Sequence, residues 1–226
     1  MLIRYRWFRI QLPARARDLA SLFANLPFDL TSKCGFARIA SNGSGASYRF
    51  FWRSQIVVTK LDAVSAPTYE QIESICFSDF AVINLGEMIF LRVENPGRNI
   101  RDLLNEIETL AGMGFTAKPV TFDKGRPATV FNSVDSSKLI GLKVTGTVLA
   151  DDLVARMEFA SKDGMVVENL AILAGLKYKV ELAAFELVLG GLRGQLSFAA
   201  NGTVKISGQI APKLISLIEQ DIPLLS

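Results

Sequence analysis

The chain contains no histidine. That absence removes Ser-His-Asp and Cys-His nucleophilic systems, histidine acid–base catalysis, and most zinc and non-haem iron sites. Its two cysteines, Cys34 and Cys76, have neither CxxC spacing nor a partner cluster. They point to a reduced, cytoplasmic protein in which each thiol is a small buried hydrophobe. The N-terminal residues lack the run of about seven apolar side chains that a signal peptide needs, because Arg4, Arg6 and Arg9 interrupt every candidate. No stretch approaches the roughly 18 uncharged apolar residues of a membrane span. The most hydrophobic region, 164–192, is broken by Glu168, Lys177, Lys179, Glu181 and Glu186. Mean hydropathy is nevertheless positive, so the apolar surplus has to enter a generous core, a partner or a second copy.

Recognised chemical motifs are also missing. The Gly/Ser stretch at 41–47 is not closed by Gly-Lys-Ser/Thr and is not followed by a helix pattern, so it is no phosphate loop. Gly141, Gly146, Gly190, Gly191, Gly194, Gly202 and Gly208 do not form GxGxxG between a strand and a helix and read as turns, bulges or close packing. Asp151, Asp152 and Asp163 could be set beside Glu158 and Glu168 as a magnesium site. Acids at turn tips are more simply solvated, and no Glu-x-Lys triplet of a metal-dependent nuclease occurs. No cofactor and no metal are expected.

What the opening quarter lacks is acid. Residues 1–60 hold ten of the 25 Lys and Arg residues against only Asp18 and Asp29, a formal charge of +8; the other 166 residues carry 15 cations and 20 acids, or −5. Ten of the 21 aromatic residues, both tryptophans among them, lie in the same quarter. They alternate with arginine as Arg-Tyr-Arg-Trp-Phe-Arg at 4–9 and Arg-Phe-Phe-Trp-Arg at 49–53. Cations interleaved with flat rings suit a phosphate backbone with exposed bases. On that reading Arg4, Arg6, Arg9, Arg49 and Arg53 contact phosphates, Trp7, Phe51 or Trp52 offer a stacking platform, and Arg15 and Arg17 add to the field. The competing reading is structural: the arginines keep a sheet face wet and stack on rings of their own protein.

Periodicity predicts an α+β protein built of antiparallel hairpins and a C-terminal meander backed by helices. Strands are expected at 2–11, from Tyr48 to about Asp62, at 80–83, 88–93, 139–149, 153–160, 177–189, 193–200 and 203–209. A short helix should run from Pro13 with Leu19, Leu22, Phe23 and Leu26 as its stripe. The capping-box pattern of Thr68 and Gln71, with Ile72, Ile75 and Cys76 beyond it, predicts a second helix. Asn99 should cap a third through Leu110, Met165–Ala174 should form a fourth, and Pro212 should open a fifth. Residues 1–122 form a basic, aromatic α+β half, 123–138 a linker or long connection, and 139–226 a β-rich half. Both halves run helix, hairpin, helix, which is either a duplication or the coincidence of a common arrangement.

Three functions fit these residues. The first is a non-catalytic binding protein that contacts nucleic acid through the basic, aromatic sheet of its first half. The second is an assembly or adaptor subunit that binds a protein partner or self-associates through apolar surface. The third is an enzyme using carboxylates or Lys60, Lys124 or Lys143. Curved sheets backed by helices invite comparison with saddle-shaped nucleic-acid binders, an analogy of architecture without a matching signature residue.

Overall fold

A computed structural model describes residues 2–14, 16, 18–29, 31–39, 45–61, 63–97, 100–122, 127–147 and 154–225. The elements in chain order are β1 (Leu2–Gln11), α1 (Leu19–Ala24), β2 (Cys34–Ile39), β3 (Ala46–Leu61), β4 (Pro67–Leu85), β5 (Met88–Glu94), α2 (Ile100–Ala111) and β6 (Thr116–Pro119). After them come α3 (Ala128–Ser133), β7 (Ser136–Thr147), β8 (Val154–Ala160), β9 (Tyr178–Leu189), β10 (Leu192–Ala199), β11 (Val204–Gly208) and α4 (Ala211–Leu225). The class is α+β, with one antiparallel sheet of eleven strands in the order β2-β3-β4-β5-β1-β11-β10-β9-β7-β8. The short β6 lies beside the end of β1, with Arg9 opposite Lys118 and Gln11 opposite Thr116.

Strand alternation separates two cores on opposite faces of this sheet. One contains Tyr5 and Trp7 of β1, Ala81 and Ile83 of β4, Phe90 of β5 and the inward side chains of β9, β10 and β11, closed by Leu214, Ile218 and Ile222 of α4. The other takes the intervening residues, Phe8 and Ile10 of β1, Phe80 of β4 and Leu91 and Val93 of β5, closed by Phe23 of α1 and by Leu103 and Ile107 of α2. The central strand is therefore buried on both faces. Asp18 opens α1 by accepting from the backbone N–H of Ala20 at 3.0 Å and of Ser21 at 3.3 Å, and the Ser21 hydroxyl, which also donates to it, joins those bonds as the largest cause holding its carboxyl below the usual range. The helix thus starts at Leu19, six residues later than the proline signal suggested.

Two expected helices take another form. Thr68–Cys76 is part of the 19-residue strand β4, paired residue for residue with β3 from Leu61 opposite Pro67 to Ala46 opposite Val82. Met165–Ala174 holds two single 3₁₀ turns, at 167–169 and 171–173. Its apolar residues Val167, Leu170 and Leu173 recur at three, the repeat of a 3₁₀ helix. The interval 123–138 carries α3 and the start of β7. Asn201-Gly202 turns between β10 and β11 as expected. Gly202 sits at φ 86°, and a Cβ there would lie 1.8 Å from the Val120 carbonyl oxygen, so only glycine fits this turn.

Candidate functional site

The basic quarter does not gather on one surface. Along β1, Arg4 and Arg6 share a face with Phe8, while Arg9 shares the opposite one with Trp7. Trp7 is 0% exposed, and its indole N–H donates to Glu219 Oε1 at 3.3 Å, which leaves no ring face for a base. Arg6 is partly buried, its guanidinium 5.3 Å from the Phe8 ring and its Nε buried without a hydrogen-bond partner. Arg49 donates through Nε and Nη2 to the two oxygens of Asp79 at 2.6 and 2.8 Å and lies 4.1 Å over the Phe77 ring. Arg53 donates to the Ser32 carbonyl at 2.8 Å and pairs with Glu73 at 3.2 Å. Phe51 stacks on Phe28 at 4.8 Å, and Trp52 on Phe50 at 5.6 Å. Arg15 and Arg17 lie outside the described residues. Among the described candidates, Arg4 and Arg9 are exposed cations with no ion pair to another described residue, and they lie on opposite sides of the sheet.

Both are nevertheless placed unusually. Arg4 stands directly across from Lys205 of β11, and Arg9 directly across from Lys118 of β6. Like charges directly opposite weaken a ladder, whereas elsewhere in the sheet cations pair with acids, directly across the ladder in Arg49–Asp79 and Lys143–Glu158 and diagonally in Lys60–Glu70. The Arg4–Lys205 pair lies on the face of the C-terminal half away from α4, beside Ser197 and Ser207.

The most distinctive surface lies elsewhere, on the β3–β4 hairpin. Among the described residues, neighbours flank this hairpin only near its base: β2 pairs Ser47–Trp52 of β3, the Arg53 N–H donates to the Lys33 carbonyl at 2.9 Å, and β5 pairs Phe80–Leu85 of β4. Beyond them the two strands run on together as a bare ribbon over the eight residues Ser54–Leu61 of β3, roughly 26 Å. On one face lie Ile56 and its cross-strand partner Ile72; on the other, Val57, Tyr69, Ile75 and Phe77. Their exposures run from 42% at Ile72 to 71% at Tyr69, and Leu61 reaches 69%. The ribbon's charges pair within it, Arg53 with Glu73 and Lys60 with Glu70, so it is close to neutral and apolar on both sides. Sequence reasoning missed this arm because it placed a helix at Thr68–Cys76. The alternation from Gln55 to Leu61, met by a second β-branched run at 68–77 across a five-residue connection, was the available signal.

Titration follows burial. Burial pushes the Tyr5 phenol up to about 12, with the Glu94 charge adding to it and Arg92 opposing. Below pH 10.0, where an ordinary phenol begins to ionise, this burial costs the fold nothing through titration. Between pH 10.0 and about 12 the unfolded chain has released a proton that the fold still holds, so stability should fall across that window and level off above it. Spectrophotometric titration of phenolate absorbance, set beside thermal unfolding at each pH, checks it; a Tyr5→Phe variant should lose the part of that decline that Tyr5 contributes. Burial, and then the charge of Glu106 on α2, pushes the Cys34 thiol up to about 11, so it is a poor nucleophile at neutral pH. Among the described residues no three acids or thiols are grouped to hold a metal, and no helix is long and apolar enough to cross a membrane. Lys60 and Lys143 are ion-paired, and Lys124, Asp151 and Asp152 lie outside the described residues. No family model matches the chain, and no curated protein matches it.

Proposed function

We propose that this chain is a non-catalytic assembly subunit that associates with copies of itself through the β3–β4 arm. The carrying observation is the bare ribbon with apolar side chains on both faces. A two-stranded ribbon is marginal in water by itself, and an unguarded strand edge is a template for pairing with another strand. From Pro67 to Asp79 the outer edge of β4 carries no lysine and no proline after its first residue, and its three acids each meet a cation of β3. Neither charge nor backbone geometry opposes a second copy there.

A comparison within the chain supports the same reading. The order β1-α1-β2-β3-β4-β5-α2 is followed by β6-α3-β7-β8-β9-β10-β11-α4, the same order with β8 added, and we infer a duplicated unit. In the second half the hairpin matching β3–β4 is β9–β10, closed by Gly190-Gly191 next to its last ladder pair, Leu189 with Leu192. A unit that folds on such a short hairpin does not need a long arm for stability. Light scattering of the purified chain over a range of concentrations tests the proposal. A mass that rises from one to two or more chains is expected; a single-chain mass at every concentration would refute it.

Contact with nucleic acid is the second reading, favoured by one observation, the Arg4–Lys205 pair beside Arg6 on the sheet face away from α4. Without a ring beside it this surface would meet backbone phosphates alone, so binding should be indifferent to sequence. Replacing Arg4 and Lys205 with glutamine should lower the salt slope of log K by about 2. Oligonucleotide titration across ionic strengths measures this, and an affinity unaffected by salt would dismiss it.

A further inference from the structure

We propose that the groove over the end of β1, lined by residues 9–14, by Glu87–Ile89 and by Thr116 and Lys118 of β6, binds the phosphate group of a small phosphorylated molecule. This inference is independent of the arm and of the Arg4 face, since Arg9 points to the other side of the sheet. The groove is open and about 590 Å³ in volume, within the range of small-molecule sites, roughly 300–1,000 Å³. The ladder register sets Arg9 of β1 across from Lys118 of β6, and both line the groove. Both side chains are exposed, and neither has an ion pair among the described residues. Two cations held at cross-strand distance repel each other unless something anionic lies between them. An arginine fork beside a lysine ammonium is the pairing that phosphate oxygens accept, the one by directed hydrogen bonds and the other as a point charge.

The remaining lining suits the rest of such a molecule. The next rung on the same face is Gln11 opposite Thr116, two neutral groups able to donate or accept. Met88 supplies an apolar wall, and Glu87 is the one acid among the described residues that line the groove, a group that can accept from hydroxyls. Two cations and one acid lining a hollow fit a single phosphate group. A polynucleotide track would need a continued row of cations.

Calorimetric titration of the full chain with a nucleoside monophosphate, and separately with inorganic phosphate, at fixed ionic strength tests the site. Saturable binding is expected for both, tighter for the nucleoside monophosphate, and Arg9→Gln or Lys118→Gln should each weaken it about tenfold or more. Thermal stability of both variants without phosphate should be equal to or above that of the parent, because each substitution relieves a repulsion; a purely structural pair would not link stability to phosphate. No saturable binding of either probe, or binding unchanged in both variants, would overturn the proposal. So would a single-stranded oligonucleotide that binds where the monophosphate does not and loses that binding in the same variants.

Discussion

A chain in which the outer arm is removed, with Ser54 joined to Ser74 through an Asn-Gly turn, should be monomeric at concentrations where the parent is oligomeric. Cooperative unfolding should survive, because the deletion removes no residue of either buried core. Ser54 and Ser74 are cross-strand partners, so a two-residue turn closes the shortened hairpin in register. A milder variant separates side-chain contact from strand pairing. Ile56→Thr with Ile72→Thr keeps the β-branched shape of a partner pair on one face while removing apolar area, and the Lys60–Glu70 pair stays in place. In a dimer four such side chains change. If each loses about 1 kcal/mol of burial, under the value for a fully buried isoleucine, the dissociation constant rises about 700-fold. Analytical ultracentrifugation reads both variants. An arm deletion that leaves the oligomeric mass unchanged would place the interface elsewhere.

The arm was illegible in the sequence for a local reason that also hid the fate of the arginines. Thr68, Gln71, Ile72, Ile75 and Cys76 satisfy a helical spacing and a capping box, yet Ile72 and Cys76 also alternate on one face of a strand with Ile75 and Phe77 on the other. Sixteen residues of β3 in register across the turn decide between them, and such long-range pairing overrides local propensity. Once Glu73 and Asp79 are on a strand, they stand beside Arg53 and Arg49. A helix at that place left the same arginines looking unopposed. Charge counting over 1–60 could see the excess of cations but not partners supplied by residues 73 and 79. Trp7 escaped for a different reason: β1 is central and buried on both faces, while its arginines sit near the ends or edges of covered surface. Elements whose signals are local came through, among them β1, α2 with its Gly112 stop at φ 85°, the Asn201-Gly202 turn and α4, which has Pro212 as its second residue.

Glu219→Gln should destabilise the fold by about 3–5 kcal/mol, the range for breaking one partner of a buried ion pair. Glu219, on α4, is 3% exposed and pairs at 2.7 Å with Arg92 of β5, which is 7% exposed. The same carboxylate oxygen accepts from the Trp7 indole. The contact joins a helix of the C-terminal half to two strands of the N-terminal half, so its loss should loosen the junction between them first. Arg92 would keep the charge of Glu94 nearby but no ion pair, and its Nε is already buried without a hydrogen-bond partner while the Tyr5 ring lies 6.0 Å from its guanidinium carbon. Left without the carboxylate, the guanidinium must stay charged in an apolar setting or pull β5 toward water. Because domain stabilities are about 5–15 kcal/mol in total, such a loss should be plain in the midpoint of urea unfolding. The double variant Arg92→Met with Glu219→Leu removes both charges at once and should recover most of the deficit, since apolar replacements of a buried pair are often neutral or better. A double variant as unstable as Glu219→Gln would mean that the pair acts through its hydrogen bonds to Trp7 and neighbouring groups, with the buried charge of Arg92 a minor part of the effect.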